Sequence, residues 1–311
     1  MLFASLRFKR KPTFSFVALG CFALAVPAFG QIDLSGSWLP YNESDALSNA
    51  PGPRPLPLDF LGIPLTKDGQ NRGLLYSPSY ISMPERICSG YPPFYMFVGP
   101  PGLKIWNEQE PLTGTTLAWH INAWEDKPAT VIWMDGRPHP SDNAPHPSGG
   151  FTTGKWENDV LVSYTTHFHS GLVRRSGAMM SDKATMTIHF FRRGEILTVT
   201  GRVDDPYYLS EPYYLTRVFR EDPVRSINAV GPPCVQGFEG VQEEQVPHFY
   251  PGKNEFVGEI TRKYNIPAEA YMGGAETMYP EFRKKLQDRY KIPDKCPAAC
   301  GGPGEFGLRG Q

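Results

Sequence analysis

The sequence predicts an all-β fold: an antiparallel barrel or sandwich of about ten strands, with a Pro-rich N-terminal loop and a short-helical C-terminal tail. Three observations predict it. Gly 31 and Pro 32 make up about a fifth of the 311 residues, which suits short strands joined by many turns. Aromatics reach 13%, a usual supply for strands packed on one face. Between Thr116 and Arg220, successive runs alternate apolar and polar residues at the strand period of two.

Residues 1–30 read as a signal peptide and stand apart from the fold. Arg7, Lys9, Arg10 and Lys11 form a positive region, Phe14–Val26 an apolar one, and Ala28-Phe29-Gly30 a small-x-small cleavage site. This predicts a periplasmic or extracellular protein with no transmembrane span after cleavage. A lipid anchor on Cys21 is the lesser alternative. Removing four positive charges leaves 27 basic against 32 acidic residues, a net charge of −5. No basic run remains to meet a phosphate backbone, so nucleic acid is not an expected partner. Cys88, Cys234, Cys296 and Cys300 are an even set in an exported chain, and the pairing expected is Cys296–Cys300 with Cys88–Cys234. The domains expected are 31–222 for the barrel or sandwich and 223–311 for an extension packing on it.

Along the mature chain, Gly36-Ser37-Trp38 resembles the G-x-W start of lipocalin-type barrels. Residues 50–64 are too rich in Pro and Gly for a strand and read as a wrapping loop. Ser79–Met83, Phe94–Val98 and Leu103–Asn107 are short strand candidates. In Thr116–Asn122, Leu117, Trp119 and Ile121 share one face and His120 lies on the other. In Val160–His169 the apolar-leaning face is Val160, Val162, Tyr164 and Phe168, opposite Ser163, Thr165, His167 and His169. Ala184–Arg192 and Glu195–Val203 set Met186, Ile188, Phe190, Leu197, Val199 and Val203 toward a core, and Arg193-Gly194-Glu195 joins them as a hairpin. Tyr213–Arg220 closes the strand series. Beyond it, Asn254–Tyr264 and Pro280–Tyr290 read as short helices, the second with Pro in its first turn.

Four segments together carry a wider resemblance: Ile132-Trp133-Met134-Asp135-Gly136-Arg137-Pro138-His139-Pro140, Gly154-Lys155-Trp156-Glu157-Asn158-Asp159, Asp205-Pro206-Tyr207-Tyr208-Leu209-Ser210-Glu211-Pro212 and Pro247-His248-Phe249-Tyr250-Pro251-Gly252-Lys253-Asn254. As a set they resemble a family of uncharacterised exported bacterial proteins found in proteobacteria and acidobacteria. The resemblance covers most of the mature chain and implies export and a shared fold. That family usually has Gly-His-Ser ahead of a Gly-x-Trp-Glu-Gly-Asp turn. Here Gly150-Phe151-Thr152-Thr153 and Asn158 stand instead, so chemistry resting on the family histidine does not carry over.

The candidate chemistry centres on Val131–Phe168. Asp135, Arg137 and His139 follow a strand in one turn; as a catalytic set, His139 or His167 carries a proton, Asp135 orients it and Arg137 polarises a substrate. As a structural set, Asp135 and Arg137 simply close the turn. His167 and His169 at i and i+2 have the spacing of strand-borne metal ligands such as those of zinc, and His120 lies on another polar face. Trp133, Trp156, Tyr208 and Glu211 join His120 and His169 as candidate ligand-binding residues, by stacking surface and polar handle. Arg174-Arg175-Ser176-Gly177 is a turn whose guanidiniums can serve an anion or pair with nearby acids. No nucleophile elbow, P-loop, dinucleotide fingerprint or His-Glu-x-x-His occurs, and no cofactor is called for. Two classes of function are expected: a carrier of an apolar or aromatic small molecule in a barrel pocket, or a cofactor-independent lyase, isomerase or hydratase on that scaffold. An envelope interaction protein is a third.

Overall fold

The alternating runs pair edge to edge until the sheet closes on itself. In the computed structural model, described for residues 32–41, 56–77, 92–97, 102–122, 130–147, 149–174, 176–224 and 248–287, eleven strands are present. They are β1 (Gly36–Pro40), β2 (Leu103–Gln109), β3 (Thr116–Asn122), β4 (Thr130–Trp133), β5 (Phe151–Glu157), β6 (Val160–Thr166), β7 (Gly171–Leu172), β8 (Met179–Met180), β9 (Thr185–Arg193), β10 (Ile196–Asp204) and β11 (Tyr213–Glu221). Nine form a closed barrel in the order β1-β11-β10-β9-β6-β5-β4-β3-β2, and β7 and β8 pair separately. The signal peptide, all five cysteines and the strand expected at Ser79–Met83 lie outside the described residues. Among those residues, no helix is long and apolar enough to cross a membrane.

The barrel is all-β as expected but mixed, because β4 and β5 run parallel while every other neighbouring pair is antiparallel. Parallel neighbours cannot be joined by a tight turn, so residues 134–150 carry the chain from one end of the barrel back to the other. Side chains fill the interior. Trp119, Ile121, Ile132, Leu161, Met186, Ile188, Phe190, Leu197, Val199 and Phe219 belong to one buried cluster.

The face assignments hold for β3, β9 and β10, but β6 is reversed. Leu161, Ser163 and Thr165 point inward and are buried, while Tyr164 is 43% exposed. The outer face of β6 is the one the 134–150 crossover covers, so aromatic surface is useful there and the alternation misleads.

The strand pairing sorts the barrel into two ends. At the turn end lie the β2–β3, β5–β6 and β9–β10 hairpins, the start of β1 and the close of β11. Asn158 at the β5–β6 tip has φ 52 and Gly194 at the β9–β10 tip has φ 60, conformations that Asn and Gly adopt readily. At the opposite lid end, Phe94–Val98 was expected as a strand, but Pro93–Phe97 forms a 3-10 turn. Pro92 and Pro93 supply no N–H to a ladder. Phe94 and Phe97 are fully buried, and a Cβ on Gly201 would meet the Phe97 ring at 2.8 Å, so only glycine lets this lid approach β10.

Residues 56–77 extend the core outward through Leu58, Phe60, Ile63 and Leu65. Helix α1 (Lys67–Leu74), which the sequence did not announce, is capped by the Thr66 hydroxyl accepting from the Gly69 N–H. The tail adds α2 (Glu259–Tyr264), α3 (Ala268–Tyr271), a 3-10 turn (Ala275–Met278) and α4 (Pro280–Gln287). The helix expected over Asn254–Tyr264 begins only at Glu259, since the Asn254 side chain is engaged with the Leu74 and Tyr76 carbonyls and Gly258 has φ 78. The tail is anchored on the 56–77 segment by a Tyr76–His248 bridge, Phe249 N–H to the Leu75 carbonyl and Phe60 N–H to the Tyr271 carbonyl.

Candidate functional site

The crossover 134–150 lies over the outer face of β5 and β6, and His139 is where it grips. The His139 Nδ1 lies 2.7 Å from the Thr166 hydroxyl and its Nε2 2.9 Å from the Thr153 hydroxyl. Its ring meets the Phe151 edge at 5.1 Å and Tyr164 at 5.2 Å. The Thr166 hydroxyl also lies 2.7 Å from His167 Nδ1, and His167 Nε2 is 2.9 Å from the Ser141 carbonyl.

Valence orients this chain. The Ser141 carbonyl can only accept, so His167 Nε2–H donates to it, and in the neutral ring Nδ1 must accept from Thr166. The Thr166 oxygen then accepts from His139 Nδ1–H, and His139 Nε2 accepts from Thr153. Burial first, and the electrostatic influence of the neighbouring His167 imidazole second, hold the His139 imidazole below its ordinary value of 6.5. The neutral form this relay requires is therefore the favoured one at neutral pH. The relay pins the crossover from two sides, and His167 is held at φ 57, a conformation costly for a histidine without such restraint.

The expected catalytic trio does not assemble. Arg137 bonds the Asp135 carboxylate through Nε and through a 2.5 Å contact from Nη2, and its guanidinium stacks 3.7 Å from the Trp133 ring centre. That exposed pair closes the Gly136 turn and draws the Asp135 carboxyl down and the Arg137 guanidinium up. Asp135 therefore does not orient His139, whose two nitrogens belong to threonines. The His167–His169 metal spacing also fails: β6 ends at Thr166, His167 turns into the left-handed region and buries its ring, and His169 is exposed. A different histidine approaches instead, with the His146 and His167 ring centres 5.1 Å apart and His146 donating to the Phe168 carbonyl at 3.3 Å.

The other expected ligand-binding residues are spread around the barrel. His120 stacks on Trp106 at 5.1 Å and pairs with Glu108 on the outer face. Trp156 turns inward, edge-on to Trp119 at 6.4 Å. Tyr208 and Glu211 belong to the corner after β10, where buried Asp205 accepts from the Ser181, Tyr207 and Tyr208 N–H groups and the Ser181 hydroxyl. This corner docks residues 56–77, since the Tyr208 carbonyl accepts from Thr66 N–H and the Tyr207 carbonyl from its hydroxyl. Glu211 lines a shallow cleft of about 440 Å³ with Lys183 and Thr185. A larger open cleft of about 780 Å³ between α1, α3 and α4 contains none of the expected residues.

The lid end holds what the sequence reading undervalued. Arg217 points inward from β11, 3% exposed, and donates to the Phe97 carbonyl at 3.0 Å. Burial first, and the nearby Arg174 charge second, push its guanidinium down to about 10. Arg174 is 4% exposed and Ser176 fully buried, both in the β7–β8 turn closed by Gly177 N–H on the Arg174 carbonyl. The Arg174 Nε and the Ser176 hydroxyl, like the Trp119 and Trp156 indole N–H groups, are buried with no hydrogen-bond partner among the described residues. A charged residue on the inward face of β11, between Leu215 and Phe219, was the sequence signal that could have found this region. Arg175 lies outside the described residues.

No family model, no curated protein and no solved structure matches this chain.

Proposed function

We infer that this chain is an exported small-molecule-binding barrel protein whose ligand, with an apolar or aromatic body, is received at the lid end. The observation that carries the reading is the pair of buried polar atoms there without a partner among the described residues, Arg174 Nε and Ser176 Oγ, at the end of the barrel that Phe94 and Phe97 cover. Buried polar groups are nearly always hydrogen-bonded, and an exception marks a place for a group that the protein itself does not supply. The filled middle of the barrel directs a ligand to an end. At the opposite end Trp38 and Arg192 are partnered by the protein. The other buried side-chain polar atoms without a partner among the described residues are the indole N–H groups of Trp119 and Trp156, which carry no charge. Export rests on the N-terminal pattern of residues 1–30 and on the family resemblance.

Acid/base catalysis draws support from one observation, the His139–Thr166–His167 relay. Its four ring nitrogens are all engaged within the protein, so none is presented to a substrate. The geometry favours a relay that fastens the crossover. Mass spectrometry of the small molecules released on denaturing natively purified protein tests the binding reading. A stoichiometric organic ligand is expected; its absence, together with no binding of a hydrophobic fluorescent probe, would overturn it.

A further inference from the structure

Arg174 and Ser176 are two positions apart in one turn, and the Arg174 Nε and the Ser176 hydroxyl are buried donors with no partner among the described residues. A buried guanidinium left without a counter-charge is among the costliest arrangements a core can hold. A second guanidinium, that of Arg217, lies close enough to feel the Arg174 charge and donates to the Phe97 carbonyl. Among the described residues, Arg174 makes no ion pair and no side-chain hydrogen bond. By contrast, the buried carboxylate of Asp205, on the same side of the barrel, is met by four donors. The lid end thus combines two positive charges, a free hydroxyl donor and aromatic walls in Phe94, Phe97 and Tyr213.

Resting on the binding reading above, we propose that the Arg174–Ser176 turn forms an oxyanion site near the Arg217 charge, so that the ligand carries a carboxylate or phosphate group held by Arg174 and Ser176. Guanidinium and hydroxyl donors suit the planar, multiply accepting oxygens of such a group, and charge-assisted hydrogen bonds are the strong ones. The ligand class follows: an organic acid or phosphate ester with an apolar or aromatic body.

Isothermal titration of the dialysed protein with acetate, benzoate and inorganic phosphate tests this. Saturable binding of at least one oxyanion is expected, and which one binds separates a carboxylate from a phosphate head group. Arg174→Met should weaken it by roughly tenfold to a hundredfold and Ser176→Ala by about tenfold, the loss of charged and neutral hydrogen bonds to a bound anion. An acid released from the denatured wild type and missing from Arg174→Met supports the site equally. Binding unchanged in both variants, or no oxyanion bound or released at all, would overturn it. A neutral ligand bound independently of Arg174 would overturn the oxyanion site while leaving the binding reading standing.

Discussion

The two ends of the barrel treat their arginines, one half-buried and one buried, in opposite ways. At the turn end, Arg192 lies over the Trp38 ring at 4.9 Å and donates to the Gly194 carbonyl, the Asp33 carbonyl and the Glu221 carboxylate. Trp38 in turn donates its indole N–H to the Leu34 carbonyl. The Arg192 guanidinium and the Trp38 indole are thus matched by the protein's own groups, while the Trp156 indole N–H, beside the β5–β6 hairpin, has no partner among the described residues. At the lid end, Arg174 is more deeply buried and has none of these partners. The difference teaches that burial of charge is a structural device where its partners are built in, and a sign of a missing guest where they are not.

The contrast can be broken at the turn end first. Trp38→Ala should cost the most, about 3–5 kcal/mol, by opening a cavity under the seal; urea denaturation would show it, and an unchanged midpoint would mean that this end is not closed by Trp38. The crossover comes next. His139→Gln should lose about 1–2 kcal/mol by breaking the relay, read by the same melt. It should also flatten the acid limb of the stability profile. Because the folded state holds His139 below 6.5, the unfolded chain takes up a proton that the folded protein resists. That contribution is fully present above pH 6.5 and is lost as pH falls into the window between 6.5 and the lowered value. A wild type equally stable at pH 5 and pH 7 would contradict it. The smallest effect belongs to Asp135→Asn, which should leave the melting temperature unchanged, since its partner Arg137 is partly exposed and stays stacked on Trp133.

Most of the barrel was legible in the sequence because period-two alternation reports a half-buried strand directly, as in Met186, Ile188 and Phe190 on β9. It failed at β6, where both faces are covered and Ser163 and Thr165 point inward, and at Phe94–Val98, where aromatic content outweighed the two prolines before it. The site was harder to read. His139 and His167 were named, but their partners Thr153, Thr166 and Ser141 are fixed by a crossover that only the parallel β4–β5 pairing requires. Asp135, Arg137 and His139 are adjacent in sequence, yet the stiff Pro138 step carries His139 away from the pair that closes the turn. Arg174 was visible as part of a basic turn, whereas its pairing with Arg217 spans strands far apart in the chain and appears only on folding.

The most direct test of the contrast is the urea midpoint of dialysed, ligand-free Arg192→Met and Arg174→Met measured side by side. Arg192→Met should lose about 1–3 kcal/mol, because it strips partners from a finished network. Arg174→Met should be as stable as the wild type or more so, because it removes a buried charge whose Nε has no partner among the described residues. An Arg174→Met loss equal to that of Arg192→Met would show that both ends are finished by the protein itself, and would contradict the account.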